Sequence, residues 1–575
     1  MNKKISDLSI VIAGAAGQGV QTVEELLVGI LKMSGYNIFA TKEYESRVRG
    51  GSNSTEIRVS SNRVTTFVNR IDLLIPLNPA ALLHVKSRLS ENSMILSDPS
   101  LLDGVHDLNE KQIISFPFSK IASEVGSKIY ANVVAVGAIA GMFITDPNIA
   151  KIVLTNRFSS KGSKIINKNF TAFQKGYELG KNVIENGKFT INLSKNDKIV
   201  DEILLNGNEA VGLGAIAGGC NFISAYPMSP STGALQFLAA NSEEFGIIID
   251  QAEDEIAAIN KNVAAWYAGA RALASTSGGG FALMTEGVSL AGIMENPIVI
   301  HIAQRPGPAT GLPTRTAQED LNLALYAGHG EFARIIFAPG TIEQAFYLTQ
   351  KAFNLADKYQ IPVFVLTDQN FVDGYYNIPQ FDLSRIKVDN SFIKTEKDYL
   401  RYKFTENGIS PRGIPGYGEG LVRADSDEHT EAGQITEDME YIRPEMVKKR
   451  YYKRLKLLEE VADEPKIVGA TDYSTLIVCW GSNYTVVKEA IEEFGNKEIA
   501  MGHFHQLFPL HSNTKEILNK AKKVILIESN ASGQFANVLK LYGDFDIPEK
   551  QKYLNYSGKP FAVEDIIAIL QKEVN

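Results

Sequence analysis

Three stretches in the middle of the chain combine reactive side chains with strand-like runs just before them. Tyr226, Pro227, Met228, Ser229, Pro230, Ser231 and Thr232 follow the apolar run 220–224. The acids Glu253, Asp254 and Glu255 follow Gly246–Asp250, and Arg305 follows Pro297–Ala303. If these runs lie in one parallel sheet, a hydroxyl, a carboxylate and a guanidinium converge at its carboxyl edge, where open α/β sheets bind ligands. That trio suits a substrate bearing a carboxylate: Arg305 can grip it through two parallel N–H bonds, and the Ser229 hydroxyl can add another. Pro227 and Pro230 fix φ and stiffen the turn.

Each stretch also has a plain structural reading. Ser231 or Thr232 can cap the following helix. Acids at a helix start are favoured by its dipole, and the pattern alone does not separate Glu255 from Glu253 or Asp254. Arg305 can be a surface arginine on a proline-rich connection. Near the N-terminus, Gly14, Gly17, Gln18 and Gly19 link a strand to a helix, an arrangement that aims backbone N–H groups at an anion. Their order is G-x-x-G-x-G, not the dinucleotide order G-x-G-x-x-G. Arg47 and Arg49 beside Gly50 and Gly51 suit an anion or a partner surface.

Strand–helix alternation positions these groups. The pattern divides into an α/β domain over 1–190 and a second α/β domain with a parallel sheet over 200–380. An irregular linker or interface segment follows over 381–466, and a smaller α/β domain covers 467–575. The segment 381–466 is too long for an ordinary loop and ends in the basic helical run Lys448–Lys456.

The net charge of −8 and the lack of a long basic run argue against nucleic-acid binding. No run approaches the ~20 apolar residues of a membrane span. Lys3 and Lys4 before 8–13 read as the approach to a first strand rather than as a secretory signal. A cytoplasmic protein without membrane contact is expected. Cys220 and Cys479 read as reduced core thiols. His503 and His505, two apart on a strand-like run, lack a third ligand, so no metal site is expected in this chain. The absence of G-x-x-x-x-G-K-[ST] and G-x-S-x-G lowers NTPase and serine-hydrolase readings.

Taken together and in order, these motifs resemble the alpha subunit of 2-oxoacid:ferredoxin oxidoreductases with a gamma domain fused at its N-terminus. The 2-oxoglutarate synthase branch is the nearest. Gly14–Val20 and Glu43–Gly51 match the gamma domain. Tyr226–Thr232 matches the family's Y-P-I-T-P-S turn, and Glu253–Ala258 its E-D-E-I-A-A helix start. Thr276–Gly278, Arg305–Thr314, Glu528–Asn530 and Gly533–Gln534 match as well.

The resemblance implies a gamma-type domain, a thiamine-diphosphate pyrimidine-binding domain and a transketolase C-terminal-like domain. It implies CoA-dependent oxidative decarboxylation of a 2-oxoacid, 2-oxoglutarate as best guess, with reduction of ferredoxin. Glu255 then matches the glutamate that hydrogen-bonds the aminopyrimidine ring, with Pro227, Ser277 and Gly278 beside the cofactor. Arg305, Ser229, Tyr226 and Thr314 would hold the 2-oxoacid, and Gly14, Gly17, Gln18 and Gly19 would contact CoA or a phosphate. Ser229 and Met228 replace the family's threonine and isoleucine, which keeps the hydroxyl but alters the pocket wall. The G-D-G…N grip on Mg²⁺ and diphosphate is missing, Gly543-Asp544-Phe545 lacking its second glycine, and two cysteines cannot hold a [4Fe–4S] cluster. The resemblance therefore assigns the metal, the cluster and half of the thiamine site to a separate beta subunit, in an αβ or (αβ)₂ assembly. Pyruvate-, branched-chain- and indolepyruvate-type enzymes share much of the pattern. A non-catalytic nucleotide-binding scaffold is the alternative from another class.

Overall fold

The computed structural model describes residues 7–16, 20–44, 50–101 and 113–574. The chain forms two compact units: Met1–Leu205 with Gly374–Gln380, and Asn206–Asp373 with Phe381–Asn575.

An eight-stranded sheet spans the first unit. Its order is Ile113–Ser115, Leu89–Ser97, Ile71–Pro76, Asp7–Ala16, Gly50–Ser60, Asn37–Glu43, Tyr375–Ile378 and Ile203–Leu205. The first four strands are parallel and the remaining pairings antiparallel. Two strands thus come from beyond residue 190, one of them more than 160 residues further along the chain. Gly14 lies inside the first strand opposite Asn53, and the helix Val20–Met33 follows. Gly17, Gln18, Gly19, Arg47 and Arg49 lie outside the described residues.

Helices Ala131–Met142 and Ser163–Glu185 cross in this unit with backbones in direct contact. A Cβ on Gly137 would stand 2.1 Å from the Phe173 carbonyl oxygen, and one on Gly180 would stand 1.8 Å from that of Ala138. Gly141 and Gly176 complete two four-residue repeats of glycine facing each other. No side chain fits there, and the crossing depends on the glycines. Gly180→Ala is expected to destabilise this unit by about 3 kcal/mol, at the upper end of overpacking costs, seen as an early transition in thermal unfolding.

The second unit is built on a seven-stranded sheet. Its order is Gln506–Phe508, Ile335–Phe337, Pro362–Asp368, Ile298–Gln304, Ala272–Thr276, Phe222–Ala225 and Ile248–Gln251. All pairings are parallel except that of Gln506–Phe508. The central strands Ala272–Thr276, Ile298–Gln304 and Pro362–Asp368 are buried along their whole length, as expected of a parallel sheet covered on both faces. A five-stranded sheet follows in the order Lys466–Gly469, Ile499–Phe504, Thr475–Trp480, Lys523–Glu528 and Lys552–Leu554.

Gln318 ties the two sheets together. Its Nε2 donates to the Trp480 carbonyl at 2.9 Å, and its Oε1 accepts from Asn483 Nδ2 at 2.9 Å and from the Ser529 amide at 3.0 Å. Its carbonyl accepts from Asn530 Nδ2 at 2.8 Å. Gln318→Ala strands three buried partners, and a loss of about 3 kcal/mol is expected, measurable as a lower midpoint in urea.

The segment 381–466 is mostly irregular, with a short parallel pair of strands, Phe392–Thr395 and Arg412–Gly418. Its basic run does form a helix, from Ile442 to Glu460 with a π-type turn at Lys448–Lys453. That run is not a solvated face. Lys449 (2.6 Å) and Arg454 both pair with the buried Glu295, and Arg450 pairs with Glu428 at 2.8 Å. The two cationic partners hold the Glu295 carboxyl far below the carboxylate range against the burial that opposes it. No helix among the described residues is long and apolar enough to cross a membrane.

Candidate functional site

Strands Ile298–Gln304, Ala272–Thr276, Phe222–Ala225 and Ile248–Gln251 are neighbours and parallel. Their carboxyl ends carry Arg305, Ser277, Ser229 and Glu255 in that spatial order. Strand Phe222–Ala225 lies where the winding direction reverses, since its two flanking strands are the next two in the chain. This is the crevice in which doubly wound sheets hold ligands.

The three acids take three different roles. Glu253 is exposed and pairs with Lys261 at 3.1 Å. Asp254 caps the helix Glu255–Tyr267, accepting from the Ala257 amide at 2.7 Å. Glu255 turns inward, is 4% exposed, and leaves its buried Oε1 without a hydrogen-bond partner. Helix and turn are held in register by Asn262, which donates to the Ser224 carbonyl at 2.7 Å and accepts from the Ser224 amide.

Glycines receive these carboxyls. The helix Gly278–Ile293 begins at the glycine triplet itself, three residues before Phe281. A Cβ on Gly280 would fall 2.5 Å from Glu255 Oε1 and 2.3 Å from Thr276 Oγ1. A Cβ on Gly278 would fall 2.2 Å from Asp320 Oδ1. The cost of glycine in a helix is accepted here because carboxyl groups occupy the space of its missing side chains.

The turn Tyr226–Thr232 departs from the expected cap. Ser231 stands at the N-cap position of helix Thr232–Ala240, but its hydroxyl donates back to the Met228 carbonyl at 2.8 Å, closing the turn on itself. Asn208, a residue that sequence reasoning passed over, donates to the Pro230 carbonyl at 3.1 Å. It is the second residue of the helix Gly207–Ala217, which is opened by the capping pair Asn206 and Glu209, the one local signal for it. Tyr226 and Ser229 face solvent, and Pro227 is half-buried.

Arg305 and Ser229 do meet: Arg305 Nη1 donates to the Ser229 backbone carbonyl at 2.6 Å. That bond spans the ends of two strands and leaves the Ser229 hydroxyl uncommitted by it. Burial lowers the Arg305 pKa, while Asp320 and Glu255 raise it. The loop after Arg305 is held by Glu319, whose Oε2 accepts from the Gly307 amide at 2.8 Å. Thr314 is buried along the same loop, and Ser277 is buried with its hydroxyl unpartnered. Asp544 is exposed and pairs with Lys515, so the incomplete G-D-G run is a surface turn. Cys220 and Cys479 are buried free thiols, and burial pushes the Cys220 thiol up to about 12.

The donor set fits the aminopyrimidine of a thiamine cofactor. It offers a buried, unpartnered carboxylate oxygen backed by a glycine, with an orphaned hydroxyl at Ser277 nearby in the chain.

Residues 213–449 match the family model described as pyruvate flavodoxin/ferredoxin oxidoreductase, thiamine diP-binding. Residues 9–179 match pyruvate ferredoxin/flavodoxin oxidoreductase. The chain is similar to a 2-oxoacid:ferredoxin oxidoreductase subunit alpha from Sulfolobus sp., 30% identical over 99% of this chain and 97% of that one. It is 32% identical to the 2-oxoglutarate synthase subunit KorA of Archaeoglobus fulgidus, over 64% of this chain and 99% of that one. Among solved structures, a 2-oxoglutarate:ferredoxin oxidoreductase from Magnetococcus marinus with 2-oxoglutarate, coenzyme A and succinyl-CoA bound superposes with a TM-score of 0.91. That match is 29% identical and covers all of both chains.

Proposed function

The chain belongs to the alpha subunits of 2-oxoacid:ferredoxin oxidoreductases, and from that premise we propose that it oxidatively decarboxylates 2-oxoglutarate to its CoA thioester together with a separate beta subunit. The observation that carries the reading is Glu255, buried and unpartnered on Gly280, one strand away from the turn that Arg305 grips. When bound, thiamine diphosphate supplies a nucleophilic carbon for the keto group and a sink for the electrons left by CO₂.

The chain's own residues bind, orient and move a proton. Glu255 Oε1 holds the proton shared with the ring nitrogen of the aminopyrimidine. Ser277 and Gly278 would lie beside the ring, and Pro227 would flank it. Arg305 takes the substrate carboxylate through its guanidinium, with Tyr226, Ser229 and Thr314 supplying hydroxyls around it. Gly14, Gly17, Gln18 and Gly19 contact a phosphate of coenzyme A, with the strand Asp7–Ala16 before the last three of them and the helix Val20–Met33 after.

Two buried, widely separated thiols cannot ligate a [4Fe–4S] cluster. The cluster, Mg²⁺ and the diphosphate grip are therefore assigned to the beta subunit, and ferredoxin is the acceptor. The 2-oxoglutarate assignment draws support from the bound substrate and product of the Magnetococcus marinus enzyme. The test is co-production with the beta subunit and an assay of CoA-dependent viologen or ferredoxin reduction over a panel of 2-oxoacids. Highest kcat/KM with 2-oxoglutarate is expected. A preference for pyruvate or a branched-chain 2-oxoacid overturns the substrate assignment, and no turnover with bound cofactor and cluster overturns the enzyme reading.

A further inference from the structure

Asp320 is a carboxyl that the proposed chemistry leaves unused. It ends the loop that Arg305 begins, and its backbone amide donates to Gln304 Oε1 at 3.0 Å. Gln304 is itself fully buried and donates to the Thr367 carbonyl at 3.0 Å. Both carboxyl oxygens of Asp320 press on Gly278, where a Cβ would come within 2.2 and 2.3 Å of them. Oδ2 is buried without a hydrogen-bond partner, as is the hydroxyl of Ser277 one residue before that glycine. The first turn of helix Gly278–Ile293 is thus wedged between two carboxyls, Glu255 at Gly280 and Asp320 at Gly278.

Arg305 is within electrostatic reach of Asp320, yet its Nη1 is committed to the Ser229 carbonyl. We propose that Asp320 is a positioning residue for the substrate: its unpartnered carboxyl, at the far end of the loop that Arg305 begins, weakens binding of the 2-oxoacid carboxylate when it ionises. The proposal rests on the oxidoreductase reading given above. Ionised, Asp320 is a second anion within the field of the guanidinium and competes with the incoming carboxylate. Neutral, it leaves that charge to the substrate.

The charges around Asp320 set where the change falls. Burial and, after it, the neighbouring Glu319 raise the carboxyl while Arg305 lowers it, and together they leave it at about 7. Glu255, across the glycine triplet, acts on the same arginine. A bound carboxylate at Arg305 adds another negative charge, so substrate binding near neutrality draws a proton onto Asp320.

The assembled enzyme with its beta subunit tests this through the KM for 2-oxoglutarate between pH 6 and 8.5. For the wild type, KM is expected to rise about tenfold over that range, one pKa unit of coupling being a factor of ten. Asp320→Asn is expected to show a flat profile near the wild-type acid value, with kcat little changed. Calorimetry in buffers of differing ionisation heat adds a second readout: the wild type takes up protons on binding 2-oxoglutarate at pH 7, and Asp320→Asn takes up none. A wild type that turns over but whose pH slope or proton uptake survives Asp320→Asn overturns this proposal alone. A wild type that turns over no 2-oxoacid overturns the oxidoreductase reading and this proposal with it.

Discussion

Glu255→Gln in the assembled enzyme is expected to lower kcat by about 10²–10⁴-fold, the usual worth of a positioned proton-transfer group. Glutamine keeps the volume and the contact with Gly280, so the fold is undisturbed and thiamine diphosphate still binds. What is lost is the ability of Oε1 to hold and return a proton at the ring nitrogen, because an amide at that place cannot exchange one. Glu253→Gln is the matched control. Glu253 is exposed and its partner is Lys261, so its substitution is expected to leave kcat within about twofold. Rates of exchange of the cofactor's acidic carbon proton, followed by NMR with bound cofactor, should fall in parallel with kcat for Glu255→Gln. Equal effects of the two substitutions would show that the inward and outward acids have been assigned the wrong way round.

For Arg305→Leu the expected result is a rise in KM for the 2-oxoacid of about 100-fold, with KM for coenzyme A unchanged. Two charge-assisted N–H bonds to a carboxylate are lost at a partly solvated site, each at the low end of such bonds, about 1.5 kcal/mol. Part of the loss comes from the turn itself, because the bond from Arg305 Nη1 to the Ser229 carbonyl goes too. Arg305→Lys retains the charge without the planar fork and should recover only part of the loss. An unchanged KM for the 2-oxoacid would remove Arg305 from the substrate site.

These two residues were legible in the sequence to different degrees. The convergence of Ser229, Glu255 and Arg305 followed from strand–helix alternation alone, because parallel neighbouring strands place the residues after their carboxyl ends on one edge. The choice among Glu253, Asp254 and Glu255 did not follow from it. All three suit a helix start, and only the packing of Glu255 on Gly280, some 25 residues away in the chain, turns one of them inward. Asp320 was invisible for the same reason: an acid after Gln318 and Glu319 reads as solvated until Gly278 is seen to leave room for it. The burial of the basic run Lys448–Lys456 could not be read locally, because its counter-charge, Glu295, lies about 150 residues earlier. In each case the missing information is a partner distant in sequence, and local pattern carries no trace of it.

The strand Tyr375–Ile378 has a consequence for how the protein comes into being. It sits between Asn37–Glu43 and Ile203–Leu205 in the first sheet, so the ribosome finishes the first unit's other strands well before it makes the one that joins them. Until then Asn37–Glu43 is an open edge, and Ile203–Leu205 lacks the strand it pairs with in that sheet. Domains usually fold in order of synthesis; here the first to begin is among the last to be completed. A nascent chain that has emerged only as far as residue 205 should accordingly present a bare sheet edge to chaperones, and one that has emerged past residue 380 should not.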